Sequence, residues 1–283
     1  MEKLRTALDS ARARRGGFSE TRAAPIPAAA PRPDAPVSVR SAEADAAWAA
    51  LDLLEPNEAR LRRKRVVAFE AGKQSGSYDI LRTKVMNLCK VNGWKRIVVT
   101  SPNASCGKST TSLNLALSFG RLPEVRIILF DMDMRRPSLF KLLDYRGKHS
   151  SASVLDGRTP FEDQALRIGE NVAISMNYAP SHHPAELFMR ERTARIIDEI
   201  EARYQPDFLF FDMPPMLAVD DTSAFLGNAH CALVMAAADV TTTQQLDLCE
   251  RELSEQTNVL GIVLNKCRYN DDGYSYAYYS YGY

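Results

Sequence analysis

Ile97-Val98-Val99-Thr100-Ser101-Pro102-Asn103-Ala104-Ser105-Cys106-Gly107-Lys108-Ser109-Thr110 is the stretch on which the fold turns. Four β-rich residues run into a loop of small and polar ones, and a helical pattern, Ser109 to Gly120, follows. This is a P-loop in its strand–loop–helix setting. Backbone N–H groups of such a loop, with the N-terminus of the next helix, cradle phosphate oxygens. Lys108 is placed to reach the β- and γ-phosphates of a nucleotide, Ser109 to offer its hydroxyl to Mg²⁺, and Gly107 to let the backbone approach the phosphate. Ser105, Cys106 and Thr110 are the other candidate nucleotide-binding positions of the loop. The first Gly of the usual G-x-x-x-x-G-K-[ST] pattern is replaced by Pro102, which leaves Gly107 as the loop's one glycine. Gly-Lys-Ser alone is a weak signal, and two acidic motifs downstream strengthen it.

The apolar run Val125 to Phe130 ends in Asp131-Met132-Asp133-Met134-Arg135-Arg136-Pro137. Carboxylates at i and i+2 of a strand end point to the same side, and a pair of hard oxygen ligands suits Mg²⁺, directly or through water. The alternative is an acidic turn that caps the next helix. Phe208 to Phe211 ends in Asp212-Met213-Pro214-Pro215, the Walker B arrangement. Val172 to Met176, Ala232 to Met235 and Leu260 to Leu264 are further short apolar runs, and Pro184 to Tyr204 and Thr243 to Gln256 are helical stretches between them. Continuous apolar strands separated by helices predict an α/β fold with a mainly parallel sheet covered on both faces. Asp131, Asp133, Asp212 and the P-loop then converge at the carboxyl edge of that sheet, where such folds bind ligands.

Outward from this centre the chain is ordinary. It has 283 residues, 45% hydrophobic and 25% charged, with a net charge of +1 that argues against nucleic acid as a partner. The longest apolar stretch, Cys231 to Ala238, is far short of the roughly 18–20 residues of a membrane span. The N-terminus has no secretory pattern, and five scattered cysteines with no CxxC pair point to a reduced, cytoplasmic protein. Residues 1–65 hold 13 Lys/Arg against 9 Asp/Glu, most densely at Arg60-Leu61-Arg62-Arg63-Lys64-Arg65. That run is either a solvated linker or helix face, or a contact with an anionic membrane surface worth about 1 kcal/mol per basic residue. Residues 1–74 are expected to be a short helix and Pro-rich linker, largely flexible, 75–268 the folded domain, and 269–283 a disordered tail. That tail, YNDDGYSYAYYSYGY, holds seven of the eleven tyrosines.

Taken together, these motifs resemble one family. The chain is similar to the bacterial tyrosine kinases, autophosphorylating P-loop kinases of capsule and exopolysaccharide export, in their stand-alone form. DMDMRRP at 131–137, FFDMPPMLAVDD at 210–221, HPAEL at 183–187, LGIVLNK at 260–266 and the tyrosine tail carry the likeness, which spans roughly residues 75–268. It implies the three-layer P-loop NTPase fold, with ATP and Mg²⁺ as cofactors. Lys108, Asp131, Asp133 and Asp212 would be catalytic, and Ser109, Asp131 and Asp212 would hold the metal. Asp131 would activate the incoming tyrosine hydroxyl. Asn265 would contact the base, its other reading being a strand-end turn residue. Arg135 and Arg136 would stabilise phosphate charge or pair with acidic residues. Tyr269, Tyr274, Tyr276, Tyr278, Tyr279, Tyr281 and Tyr283 would be the phosphoacceptors. The implied partners are a transmembrane adaptor of the polysaccharide co-polymerase type, further copies of the chain and a cognate tyrosine phosphatase. The implied location is the inner face of the plasma membrane, reached through the adaptor.

The chain also departs from the family. The E-x-x-R-x-x-R segment that helps close a ring of subunits is reduced to Gly76, Asp79 and Arg82, which puts that contact in doubt. Two rival functions remain. One is a partitioning or division-site ATPase switch, which usually carries a signature Lys where Asn103 stands here. The other is a degenerate nucleotide-binding scaffold.

Overall fold

Strands that must be buried on both faces are written as unbroken apolar runs, and each such run in this chain forms a strand, the one at the sheet edge keeping Ile262 and Leu264 exposed. The computed structural model describes residues 40–181 and 183–267. In chain order the elements are α1 (Ala42–Ala49), β1 (Asp52–Leu53), α2 (Glu58–Arg63), α3 (Gly76–Asn92), β2 (Arg96–Thr100), α4 (Lys108–Gly120), β3 (Ile127–Asp131), α5 (Leu139–Leu143), α6 (Ser151–Leu155), β4 (Leu166–Ile168), β5 (Val172–Ser175), α7 (Pro184–Phe188), α8 (Glu191–Tyr204), β6 (Phe208–Asp212), α9 (Asp221–Phe225), β7 (Cys231–Ala237), α10 (Thr243–Ser254) and β8 (Asn258–Asn265). The strands make one sheet in the order β1-β4-β5-β3-β6-β2-β7-β8. Every neighbouring pair is parallel except β4–β5, where a three-residue connection leaves room only for a hairpin. Among the described residues no helix is long and apolar enough to cross a membrane.

Alternation along the central strands divides the core in two. Val98, Ile128, Phe130, Leu209 and Phe211 face one side, with Ile197, Tyr204 and Phe225. Ile97, Val99, Ile127, Leu129, Phe208 and Phe210 face the other, with Leu113 and Phe119 of the P-loop helix α4. The predicted helix over 184–204 is two helices. Arg190 adopts an extended conformation between them, and the buried Thr193 hydroxyl donates to the Leu187 carbonyl at 2.6 Å.

The expected boundary at residue 75 moves to Arg40, where the compact unit begins. Trp48 of α1 is buried, its ring edge-on to Tyr204 at 6.4 Å and its indole N–H donated to the Glu170 carbonyl at 2.6 Å. β1 pairs with β4, Leu61 and Val66 are buried in the α4-side core, and Ala68 is buried. Three side chains of the basic run at 60–65 make contacts within the chain. Arg60 pairs with Asp144, Arg62 with Glu70 at 2.8 Å, and Lys64 donates to carbonyls of α5. Residues 58–63 form α2, and Arg60, Arg62, Arg63 and Arg65 stay exposed, so the run is a solvated helix face with some of its charges paired within the chain. The rest of the expected N-terminal segment and the tyrosine tail lie outside the described residues.

Trp48→Ala removes a large, fully packed side chain far from the P-loop in sequence. It should lower unfolding free energy by about 3 kcal/mol in urea titrations. A loss under about 1 kcal/mol would show that α1 is not part of the folding unit.

Candidate active site

The P-loop connects β2 to α4, and its shape follows from two residues in the left-handed region, Ser105 at φ +63° and Gly107 at φ +89°. Gly107 has a second reason to be glycine. A Cβ there would lie 2.2 Å from the Asn265 amide nitrogen. Asn265, at the end of β8, donates that nitrogen to the Cys106 carbonyl at 2.9 Å, so the last strand closes onto the loop. The loop is also tied to the segment after β6. The Thr100 hydroxyl donates to the Pro214 carbonyl at 2.8 Å and the Met216 N–H to the Ser101 carbonyl at 2.8 Å. The cleft over the loop, about 500 Å³, is lined by Lys108, Ser109, Thr110, Asp133, Arg136 and Pro215 among others.

The pairing of β3 with β6 sets Asp131 opposite Asp212. Both are fully buried. Asp131 Oδ2 accepts the N–H groups of Ser138 and Leu139, each at 3.3 Å, and Asp212 Oδ1 accepts the Ser112 hydroxyl at 3.2 Å. The remaining oxygens, Asp131 Oδ1 and Asp212 Oδ2, are buried with no partner. Burial, reinforced by the charge of Asp212, pushes the Asp131 carboxyl well above the usual carboxylate range. Burial pushes Asp212 up to about 6 against the pull of Lys108 and of the nearby Ser109 and Ser112 hydroxyls. Asp133 is raised by burial and steadied by the Arg136 N–H at 3.1 Å.

Two unpartnered carboxylate oxygens beside a buried lysine and a P-loop serine fit a hard divalent cation. Among the described residues no group of three His, Cys, Asp or Glu side chains could hold a metal alone. Mg²⁺ commonly binds through one or two carboxylates and completes its shell with phosphate and water.

The sequence model of the ParA family, described as the NUBPL iron-transfer P-loop NTPase, matches residues 93–279. This chain belongs to that P-loop NTPase family. EpsB of Ralstonia nicotianae, named as a tyrosine-protein kinase, is 27% identical over 215 residues, which are 72% of this chain and 28% of EpsB. The chain thus spans under a third of that relative's length. YwqD of Bacillus subtilis, a tyrosine-protein kinase, is 26% identical over 231 residues, 80% of this chain and 95% of YwqD. Among solved structures, the chimerical protein CapA2B2 shares the fold with a TM-score of 0.66 at 18% identity, over 77% of this chain and 93% of that one. The expected P-loop α/β fold and the likeness to bacterial tyrosine kinases both hold.

Within this P-loop NTPase the remaining motif residues take definite places. Of the two roles open to Arg135, the structure shows pairing. Its guanidinium holds both oxygens of the buried Asp221 at 2.8 Å. Arg136 is exposed and lines the cleft. Arg82, the survivor of the ring-closing segment, lies 3.4 Å from Asp79 and donates to Ser118 at 2.7 and 3.1 Å. Its contacts are internal. Ser112 and Asp221 were not singled out from the sequence. Ser112 stands one helical turn from Ser109 and so shares its face, a usable signal, and Asp221 closes the quoted acidic pair two residues after Val219.

A carboxyl whose pKa is higher folded than unfolded takes up a proton on folding. Its charged form therefore destabilises the fold as pH rises from about 4 to about 6, and the loss is complete above that window. For Asp212 the loss amounts to about 3 kcal/mol. In metal- and nucleotide-free buffer, Asp212→Asn should be stabilised relative to wild type at pH 8 by about that much more than at pH 4. Equal differences at both pH values would mean that Asp212 is not held in a charge-averse site.

Proposed function

We propose that this chain is an ATP-dependent protein tyrosine kinase that phosphorylates its own C-terminal tyrosines. The observation that carries the proposal is the pair of buried, half-satisfied carboxylates, Asp131 and Asp212, in register beside Lys108. The seven-tyrosine tail and the kinase names of the relatives support it. The P-loop and Lys108 would bind the phosphates, and one further N–H of the Asn265 amide remains for the base. Ser109, Asp131 and Asp212 would hold Mg²⁺, which when bound neutralises charge on the β- and γ-phosphate oxygens.

In the transfer, the tyrosine oxygen bonds to the γ-phosphorus, the bond to the β–γ bridging oxygen breaks, and ADP leaves. Asp131, ionised and with Oδ1 free of any protein partner, would accept the hydroxyl proton. Lys108 stays on the transferring phosphoryl group. Work of this kind is mostly positioning and charge stabilisation, which suits a site built on rigid strand ends. The acceptor is the tail of a neighbouring copy, and copies are gathered by a membrane adaptor of the capsule or exopolysaccharide machinery. Each phosphate adds about −1.5 to −2 charge units. Crowded tails would then repel, and a cognate phosphatase would reset them. A partitioning-type switch would use the same site with water as nucleophile, and Asn103 in place of that class's signature lysine weighs against it.

Lys108→Met and Asp131→Asn should each abolish phosphotyrosine formed from labelled ATP while leaving the circular dichroism spectrum unchanged. Changing all seven tail tyrosines to Phe should remove most phosphotyrosine and leave ATP binding intact. Release of inorganic phosphate with no phosphotyrosine, in the wild-type protein with or without anionic membranes, would replace the kinase by the switch.

A further inference from the structure

Residues 57–68 lie across two helices of the site and are bonded to both. On one side stands Asn114, fully buried in the P-loop helix α4. Its Oδ1 accepts the N–H groups of Val67 at 2.7 Å and Ala68 at 3.0 Å. Its Nδ2 donates to the carbonyls of Arg65 at 3.0 Å and Thr110 at 2.8 Å. One side-chain amide thereby uses both lone pairs and both hydrogens to fix this segment to the P-loop helix.

On the other side stands α5. Lys64 Nζ donates to the carbonyls of Lys141 and Leu142, the latter at 3.5 Å. These belong to the last turn of α5, where carbonyls lack helical partners and a cation is favoured. Arg60 pairs with Asp144, the residue that ends α5 in the left-handed conformation at φ +54°. The opposite end of α5 is where Ser138 and Leu139 give their N–H groups to Asp131 Oδ2. At five residues, about 7.5 Å, α5 is too short to bend and moves as a body. Its apolar anchors, Leu139 and Leu143, keep it attached to the core, and the hydrogen bonds and ion pair at its C-terminal end add directional restraint to that packing.

We propose that Lys64 and Arg60 are positioning residues for Asp131. Held to α4 through Asn114, they fix α5 so that the Ser138 and Leu139 amides set the orientation of the Asp131 carboxylate, and with it the oxygen left free for metal or substrate. The activity arm of the test below rests on the kinase proposal; the other arms do not.

The test uses the full-length protein and the variants Lys64→Met, Arg60→Met, the double variant and Lys64→Arg. Amide hydrogen exchange at Ser138 and Leu139 should quicken in the Met variants, with α4 amides at wild-type rates. The increase in ADP affinity on adding Mg²⁺ should shrink, while metal-free ADP affinity holds. The kcat for phosphotyrosine formation should fall about ten-fold with KM for ATP within about two-fold, and Lys64→Arg should regain most of it. A role in stability alone would instead lower the unfolding midpoint and weaken metal-free ADP binding in step. Wild-type exchange at Ser138 and Leu139 together with an unchanged Mg²⁺ effect in the double variant overturns the inference. A wild-type protein that forms no phosphotyrosine removes the kinase proposal, and the exchange and Mg²⁺ results still decide this one.

Discussion

Two carboxylates held side by side in a dry sheet edge set the terms for the rest of this structure. Asp131 and Asp212 face each other across β3 and β6 with no solvent exposure, and each keeps one oxygen without a partner. Placing like charges there costs free energy, and the fold must supply it elsewhere. It does so with strands that are apolar on both faces and with phenylalanines packed across them, such as Phe130 stacked on Phe211 at 5.4 Å. The packing also fixes register. A slip of one residue between β3 and β6 would turn one carboxylate to the opposite face of the sheet, so the pair exists only while both cores are filled.

The sequence made this centre legible because its signals are local. A buried parallel strand is a short unbroken apolar run, and the acids stand at the ends of two such runs. β1 and β4 left no comparable trace. The first is two exposed residues, and the second carries Arg167 in its middle. Residues 41–70 read as helical but weakly amphipathic, and α1 and α2 do form there, yet their attachment to the core left no pattern. Their anchors, Trp48, Leu61, Val66 and Ala68, are scattered through Ala- and Arg-rich sequence and form no period. In the site, residues whose role comes from a motif were visible, whereas those defined by a distant partner were not. Asn114 is an ordinary polar residue of a helix until Arg65, Val67 and Ala68 arrive at its side chain.

Charged clusters followed the same rule. Arg60 to Arg65 reads as a solvated linker or helix face or as a surface facing an anionic membrane, and Asp79 with Arg82 looks like the remnant of a contact between subunits. In the folded chain both are mainly fasteners. Arg60, Arg62 and Lys64 grip residues brought near by the tertiary fold, and Arg82 joins Asp79 to the end of the P-loop helix at Ser118.

The contact between Asn265 and the P-loop also has a consequence for reach. It roots the C-terminal segment at the chain's own nucleotide cleft, with the first tail tyrosine four residues beyond the root and the last eighteen. Fully extended, those leashes span about 14 to 60 Å. Were the segment to act as a short flexible tether, its effective concentration near its own cleft would be on the order of millimolar. A neighbour's cleft competes for the same tail only where copies are packed to comparable density. Under the proposed activity, dilute chains and chains assembled on a surface would therefore differ in which cleft each tyrosine meets, and crowding would become a variable of the reaction.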